Sequence, residues 1–230
     1  MNIMKLISPL RETYFAPQWD ITLGGFQYED QEKFHNIQKF LIDKEQDIRD
    51  LPFNDDAGTG VGTDSITARY GNYNLFQFIE ECEELQDLLN FFRRSYIEYC
   101  SHHGAPVEEI DIVCWYNILR DSEPMNMHVH NCMPDSYISG NMQFSSFESY
   151  TFYRPPPDAF GKTHIPGPPG QLILFPSYVP HGVRHDYEGA RISVAFDLHK
   201  HLVHNPEPHW GCNLPFMNEE IYNTMQKEAD

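Results

Sequence analysis

Residues 171–198 read QLILFPSYVPHGVRHDYEGARISVAFDL and hold three short segments rich in β-branched and aromatic residues, at 171–175, 180–184 and 190–198. Turn-forming stretches separate these segments, and no segment of helix length lies between them. Four earlier segments have the same character, at 110–119, 125–130, 136–145 and 149–153. Consecutive short strands without helical crossovers predict an antiparallel sandwich, barrel or jelly roll in the second half of the chain.

The first half has a different pattern, in which apolar residues recur at three- and four-residue steps. This spacing predicts helices over 29–49 and 75–100, the second of them ended by Gly104. The stretch 53–74 is rich in Gly, Asp and Asn and is predicted to be a loop near a ligand-binding mouth. Its GTGVGTD segment neither follows a strand nor opens a helix, so we do not assign phosphate binding to it. A short helix is expected near 217–227.

The chain of 230 residues contains 34 acidic residues against 16 Lys or Arg residues, which gives a formal net charge of -18. A surface this acidic repels the phosphates of duplex nucleic acid and of anionic lipid. The sequence shows no apolar run of membrane-crossing length and no signal-peptide pattern, so we expect no membrane partner. Five cysteines without a Cys-x-x-Cys pair indicate reduced thiols and a cytoplasmic protein.

Three of the twelve histidines form a pattern typical of a metal site. His128 and His130 lie two residues apart on a predicted strand, so we expect their side chains on one face. His181 follows an apolar strand and a proline turn. Three imidazoles that leave other coordination positions open favour iron or another divalent transition metal. The helix-end histidine His102 and the tail histidine His199 are interpreted as side chains without a metal.

Arg191 and Ser193 lie two residues apart at the start of the last predicted strand. An arginine fork beside a hydroxyl is suited to binding a carboxylate. In a chain with few cations, an arginine within ARISVAF needs a partner if it is buried. The alternative interpretation is an edge-strand arginine that pairs with one of the many acids.

The order of several short motifs in the second half resembles one enzyme family. The motifs are Trp115-x-Asn117, His128-x-His130, Ser139-Gly140, Pro169-Gly170-x-Leu172-x-Leu174-Phe175-Pro176-Ser177, His181-x-Val183 and Arg191-Ile192-Ser193-x-x-Phe196. Together they are similar to the 2-oxoglutarate/Fe(II)-dependent oxygenases, and most similar to small oxygenases of bacteria and phages. The resemblance covers roughly residues 110–198.

The resemblance implies a fold and a domain plan. The fold is α+β and mainly β, a double-stranded β-helix (a jelly roll of cupin type) with supporting N-terminal helices. The whole chain, 1–230, is expected to be one oxygenase-like domain. Residues 1–109 are mostly helical support and loop, 110–199 the jelly-roll core, and 200–230 a C-terminal extension.

The resemblance also implies site residues and cofactors. His128, His130 and His181 match the ligands of Fe(II), although most of the superfamily has a carboxylate at the position of His130. Cofactor-binding residues match the positions that hold 2-oxoglutarate: Arg191 and Ser193 on its far carboxylate, with Asn117 and Gln143 as further polar contacts. Asp135 is a candidate substitute carboxylate for the metal, and Asp197 receives no role.

The activity implied is decarboxylation of 2-oxoglutarate to succinate while an unknown substrate is hydroxylated. Two alternatives stay open: a three-histidine cupin-type dioxygenase that uses no 2-oxoglutarate, and a non-enzymatic β-sandwich binding or structural protein. The primary substrate is expected to be a protein side chain or a metabolite, and the acidic surface favours a neutral or basic one. A homodimer is a further open expectation. The side chains considered for the cavity wall are Met125, Met127, Met133, Trp115 and Tyr137.

Overall fold

The computed structural model of the protein describes residues 1–53, 55–120, 123–131, 134–154, 163–184, 189–200 and 212–229. The strands in these ranges are β1 (Asn2–Ile7), β2 (Asp20–Gln27), β3 (Ile110–Arg120), β4 (Met125–His128), β5 (Ile138–Gln143), β6 (Ser149–Tyr153), β7 (Thr163–Gly167), β8 (Gln171–Pro176), β9 (His181–Val183), β10 (Ala190–Lys200) and β11 (Leu214–Met217). The helices are α1 (Gln31–Asp43), α2 (Glu45–Arg49), α3 (Glu84–His103) and α4 (Glu219–Ala229), with short 3-10 helices over Ile66–Arg69 and Leu75–Phe78.

The strands form two antiparallel sheets. The larger has seven strands in the order β1-β2-β8-β5-β10-β3-β11, and the smaller has four in the order β4-β9-β6-β7. Each described strand pair is antiparallel, as the sequence predicted for consecutive short strands. Strands that neighbour each other in space are often far apart in the chain, which is the connectivity expected of a jelly roll.

The helices cover the outer face of the larger sheet. Phe92 of α3 packs on Phe196 of β10 with their ring centroids 4.5 Å apart, and Phe34 of α1 stacks on Phe144 at 5.0 Å. The Phe196 ring lies over Gly140 of β5, where an added Cβ would come within 2.2 Å of the ring. Gly140 therefore allows Phe196 to lie flat between the sheet and α3.

Strand β10 divides its side chains between the two faces of this sheet. Its even-numbered residues belong to the apolar core under the helices: Ile192, Val194, Phe196 and Leu198. Its odd-numbered residues line a cavity on the opposite face: Arg191, Ser193, Ala195, Asp197 and His199. The two-residue repeat of a strand thus places every second side chain of β10 at the cavity.

The N-terminal part contains two strands that the sequence analysis missed. β1 and β2 pair with each other, and β2 pairs with β8 in the register Gly24↔Leu174. Six consecutive residues of β2 are buried, so its sequence lacks the polar alternation that marks a half-buried strand. Residues 1–109 therefore supply strands to the larger sheet besides helices and loop.

Several predicted boundaries change for local reasons. The helix predicted over 29–49 is divided at Lys44, and the one predicted over 75–100 begins only at Glu84, after a 3-10 turn capped by Asn74. Gly104 ends α3 as predicted, with a φ of 62°. Strands β7 and β11 were not predicted. The expectations for Met133 and for residues 201–211 of the C-terminal extension fall outside the described residues.

Candidate metal centre

The structure brings His128, His130 and His181 together. Each ring offers one nitrogen, and the three atoms all lie within 4.8 Å of one another. The ring centroids of His128 and His181 are 4.4 Å apart, and those of His130 and His181 are 4.8 Å apart. Among the residues that the structure describes, this is the one group of three or more His, Cys, Asp or Glu side chains spaced to hold a metal ion.

Strand pairing positions two of the three histidines directly. His128 ends β4 and is the register partner of His181, which begins β9. The strand predicted over 125–130 is therefore too long, and His130 lies beyond the end of β4. Its backbone N–H donates to the Ser177 carbonyl at 3.1 Å, and this contact holds it near the other two histidines. The rings of His128 and His130 lie side by side, with centroids 5.4 Å apart at an interplanar angle of 17°, as expected of side chains on one face.

The Nδ1 atoms of His128 and His181 are already bonded to backbone oxygens. Nδ1 of His128 donates to the Asn126 carbonyl at 2.8 Å, and Nδ1 of His181 donates to the Val179 carbonyl at 3.1 Å. A carbonyl can only accept, so the proton of each neutral ring lies on Nδ1. The Nε2 lone pairs of both rings are left for a metal.

A carboxylate holds the third ring. Nδ1 of His130 donates to Oδ1 of Asp197 at 2.5 Å, and the Ser139 hydroxyl donates to the same oxygen at 2.5 Å. Burial alone raises the pKa of Asp197, but His130 and Ser139 outweigh it, and the pKa lies below its ordinary value. Asp197 is therefore ionised and orients His130 in the way that carboxylates orient metal-bound histidines.

Burial keeps two of the imidazoles neutral. It lowers the pKa of His128 to about 4, with a further lowering by the nearby His130. Burial also lowers the pKa of His181, whose residue is only 5% exposed, and His128 and His130 add to that shift. A neutral imidazole is the form that binds a metal. A set of three imidazole nitrogens with no carboxylate among them fits Fe(II) and other divalent first-row metals.

Asp135 is not a member of this group. It lines the same cavity, but its side chain accepts from Nδ2 of Asn131 at 3.1 Å, and it is absent from the set of atoms spaced to hold a metal. The expectation that Asp135 folds back as a substitute carboxylate ligand does not hold in this structure. The carboxylate near the histidines is Asp197, which contacts the metal group only through His130.

Arg191 lies in the same cavity as the histidines and is 2% exposed. Its guanidinium donates to three hydroxyls: Nε to Ser149 at 3.0 Å, Nη1 to Ser193 at 3.1 Å and Nη2 to Thr151 at 3.2 Å. We call these three hydroxyls the arginine cradle. Arg191 is thus interior, and the edge-strand alternative for it is wrong. Ser149 and Thr151 come from β6 and were not predicted as site residues.

The other two residues predicted to contact the cofactor, Asn117 and Gln143, differ in their relation to the cavity. Ser193 is the register partner of both Asn117 on β3 and Gln143 on β5, so the three form one row across the sheet. Asn117 lines the cavity and accepts from the Thr67 hydroxyl at 2.8 Å. Gln143 is buried, is not among the described lining residues, and donates to the cradle hydroxyl of Ser149. Gln143 therefore supports the arginine cradle through its hydrogen bond to Ser149.

The cavity has a volume of about 750 Å³, and the three histidines are among the residues that line it. Residues Thr59, Thr67 and Tyr70 of the loop before α3 line it, in agreement with the prediction that this loop lies near a ligand mouth. Of the wall residues considered, Trp115 and Met125 line the cavity, whereas Met127 and Tyr137 are not among the described lining residues. His199, interpreted as a solvated tail residue, lies on β10 and lines the cavity.

No protein-family model matches this sequence, and no curated protein matches it. Several solved structures are similar in fold. A prolyl hydroxylase of Trichoplax adhaerens in complex with a hypoxia inducible factor peptide has a TM-score of 0.55 at 12% identity, over 77% of this chain and 83% of its own. The non-heme alpha ketoglutarate dependent epimerase SnoN from nogalamycin biosynthesis has a TM-score of 0.52 at 12% identity, over 85% of this chain and 89% of its own. A Pseudomonas putida prolyl-4-hydroxylase has a TM-score of 0.50 at 13% identity, over 77% and 92%.

At such low identity the likeness concerns the fold. The prediction made from the ordered motifs is confirmed at that level, because the similar structures are 2-oxoglutarate oxygenases and have a jelly-roll core. No helix among the described residues combines the length and the apolarity that a membrane crossing requires. The chain has the jelly-roll fold of the 2-oxoglutarate/Fe(II)-dependent oxygenases.

Proposed function

We propose that this protein is a non-haem Fe(II) oxygenase that uses 2-oxoglutarate as its co-substrate. The observation that carries the proposal is the presence, in one cavity, of three converging histidines and a buried arginine cradled by hydroxyls. The first group suits a divalent metal and the second a carboxylate. Their combination is required by a metal enzyme whose co-substrate is a dicarboxylate.

Each part of the site has a distinct task in this proposal. His128, His130 and His181 hold Fe(II) through Nε2, and Arg191 with Ser193 binds the far carboxylate of 2-oxoglutarate. When bound, iron and 2-oxoglutarate supply the oxidising chemistry: O2 is consumed, succinate and CO2 leave, and one oxygen atom enters a C–H bond of the substrate. The chain itself supplies orientation and exclusion of water.

The buried position of Arg191 serves the orientation. Because its guanidinium is already directed by Ser149, Thr151 and Ser193, little side-chain entropy is lost when a carboxylate binds. The surroundings exclude water, which strengthens each charge-assisted hydrogen bond. A hydroxyl can turn to donate instead of accept, so Ser193 can serve both the arginine and a carboxylate oxygen.

The three-histidine donor set supports a second candidate, an oxygenase of the cupin type that uses no 2-oxoglutarate. A triad of neutral ligands leaves the metal unit one positive charge higher than a triad that contains a carboxylate. Asp197 offsets part of that charge from its position behind His130. The second candidate gives no reason for the arginine cradle, and for that reason we rank it below the first.

The test is anaerobic titration of the Fe(II)-loaded protein with 2-oxoglutarate. We expect the weak visible charge-transfer band of a keto acid bound to iron, together with a saturable isotherm. Arg191→Gln should weaken that isotherm, whereas Arg94→Gln, an exposed arginine of α3, should leave it unchanged. Tight iron binding without any band, followed by O2 consumption without succinate, would favour the second candidate. No specific metal binding would contradict both.

His130→Asp tests the ligand set separately. It restores the carboxylate found at this position in most of the superfamily, but it loses the contact with Asp197. We expect the natural protein to show the charge-transfer band without this change. A band that appears only in His130→Asp would mean that the natural site does not use 2-oxoglutarate.

A further inference from the structure

Two neighbouring aromatic rings line the cavity, and one of them lies beside His130. The ring centroids of Tyr70 and Trp115 are 6.0 Å apart at an interplanar angle of 53°. Trp115 also lies 5.5 Å from His130, measured between ring centroids. The face of an aromatic ring carries negative electrostatic potential and attracts cations. A group that reaches the metal ligands from this side therefore passes against a surface suited to positive charge.

Carboxylates act on Tyr70 and line the same cavity. Asp135 lines the cavity, and the Tyr70 hydroxyl donates to Oδ1 of Asp55 at 3.5 Å. Burial raises the pKa of Tyr70, and Asp55 and Asp197 raise it further, so both carboxylates act on the phenol. We call the set Tyr70, Trp115, Asp135 and Asp55 the acidic mouth.

The cavity therefore combines groups of opposite charge. Arg191 is the single Lys or Arg among the described residues that line the cavity, and the arginine cradle holds it. The acidic mouth contains carboxylates and aromatic faces, and the chain as a whole has a net charge of -18. An anionic ligand is attracted to Arg191 and a cationic ligand to the acidic mouth, so the two ligands have different binding partners.

We infer that the primary substrate presents a cationic nitrogen, an aliphatic ammonium or a guanidinium group, to the acidic mouth. The inference rests on the proposed function, because it takes the cradle as the place of the anionic co-substrate. The substrate class is the side chain of lysine or arginine, free or within a peptide. One oxygen atom of O2 enters a C–H bond of that side chain, the other enters succinate as 2-oxoglutarate loses CO2, and the nitrogen keeps its charge.

Matched small probes test the charge preference. The cationic probes are the Nα-acetyl N-methylamides of lysine and arginine, and the neutral control is the same derivative of norleucine, which has an aliphatic chain without the ammonium group. Titrations follow the protein loaded with Fe(II) and 2-oxoglutarate under anaerobic conditions, and also the protein alone. At least one cationic probe should bind about tenfold more tightly than the norleucine probe. Free lysine and free arginine in parallel titrations distinguish an amino acid substrate from a peptide-bound one.

Asp135→Asn tests which residues cause the preference. It preserves the size of the side chain and removes its charge, so the ratio of cationic to neutral affinity should fall several-fold. Asp43→Asn, at the exposed end of α1, is the matched control and should leave the ratio unchanged. Thermal unfolding of both variants identifies any loss of fold before affinities are compared.

Three outcomes would overturn the inference: equal affinity for cationic and norleucine probes, no saturable binding of any probe, or a preference that Asp135→Asn does not reduce. The 2-oxoglutarate charge-transfer band is measured on the same samples. A band without charge preference contradicts the substrate inference alone, whereas charge preference without a band contradicts the proposed function alone.

Discussion

Two arginines of this protein are buried, Arg191 at the cavity and Arg69 in the loop before α3, and their partners differ. Arg191, 2% exposed, donates to the hydroxyls of the arginine cradle. Arg69, 8% exposed, belongs to the loop before α3 and donates to backbone carbonyls, among them those of Leu51 at 3.3 Å and Ser65 at 2.9 Å.

The difference separates a ligand-binding arginine from a structural one. Carbonyl oxygens can only accept, and those around Arg69 belong to the loop that it ties together. Hydroxyls both donate and accept, so the cradle can adjust when an anion arrives. The loop is joined to the jelly roll through Thr59, whose carbonyl accepts from Asn126 at 2.7 Å, and through Thr67. We expect the cavity residues to control ligand binding and the loop around Arg69 to control stability.

The largest expected effect is on the metal. His181→Ala removes one of three ligands and should weaken Fe(II) affinity by more than about 100-fold, because a ligand contributes more than the outer contacts that support it. The measurement is competition with a chelator of known affinity. His164→Ala, on the exposed face of β7, is the matched control. Unchanged affinity in His181→Ala would place the metal elsewhere.

The second-largest expected effect is on 2-oxoglutarate binding by Arg191 in the arginine cradle. Arg191→Gln should weaken 2-oxoglutarate binding by about 10- to 100-fold, since hydrogen bonds to charged groups contribute roughly 1.5–3 kcal/mol. Fe(II) affinity should change less, because the hydrogen bonds described for Arg191 go to Ser149, Thr151 and Ser193. Isothermal titration with each ligand separates the two. If the affinities for Fe(II) and for 2-oxoglutarate fall equally, the substitution has disrupted the fold of the whole cavity.

A smaller effect on Fe(II) affinity is expected from substitution of Asp197, the hydrogen-bond partner of His130. Asp197→Asn preserves an oxygen that can accept from His130 but removes the negative charge, and Fe(II) affinity should fall by about tenfold. Fe(II) affinity should fall further in Asp197→Ala, which also removes the acceptor. The measurement is the same chelator competition. If the two variants behave alike, the negative charge rather than the orientation of the ring is what Asp197 supplies.

The smallest effect is expected at the loop. Arg69→Gln should lower the free energy of unfolding by about 1 kcal/mol, because backbone carbonyls in a partly buried loop lose a charged donor. Its affinity for 2-oxoglutarate should remain near that of the natural protein. Chemical denaturation measures the first quantity and titration the second. A large loss of 2-oxoglutarate affinity in this variant would contradict the interpretation of Arg69 as a purely structural arginine.

The sequence predicted the parts of the site that short motifs encode. His128, His130, His181, Arg191 and Ser193 are named by spacing within or next to strands, and the structure groups them in one cavity. The fold class followed from the succession of short strands without helices between them. Both signals are local, so a single sequence suffices to detect them.

The other parts of the site could not be predicted, because they depend on contacts between segments that are distant in the chain. The partners Asp197 and His130 are separated by 67 residues, and Ser149 reaches Arg191 across 42. Neither pair leaves a local pattern. β2 was missed because six consecutive buried residues have no alternation to detect, and the contact between Gln143 and Ser149 was not predicted because it depends on side-chain packing in the folded protein.

The alternation of β10 also bears on how such a protein can change over evolutionary time. Point substitutions at its odd positions can alter what the cavity binds, while the even positions continue to hold the sheet against the helices. A one-residue insertion in the same strand would exchange the two sets and place an arginine in the apolar core. New specificity can therefore arise readily by substitution in β10, whereas changes of length in this strand should be eliminated by selection.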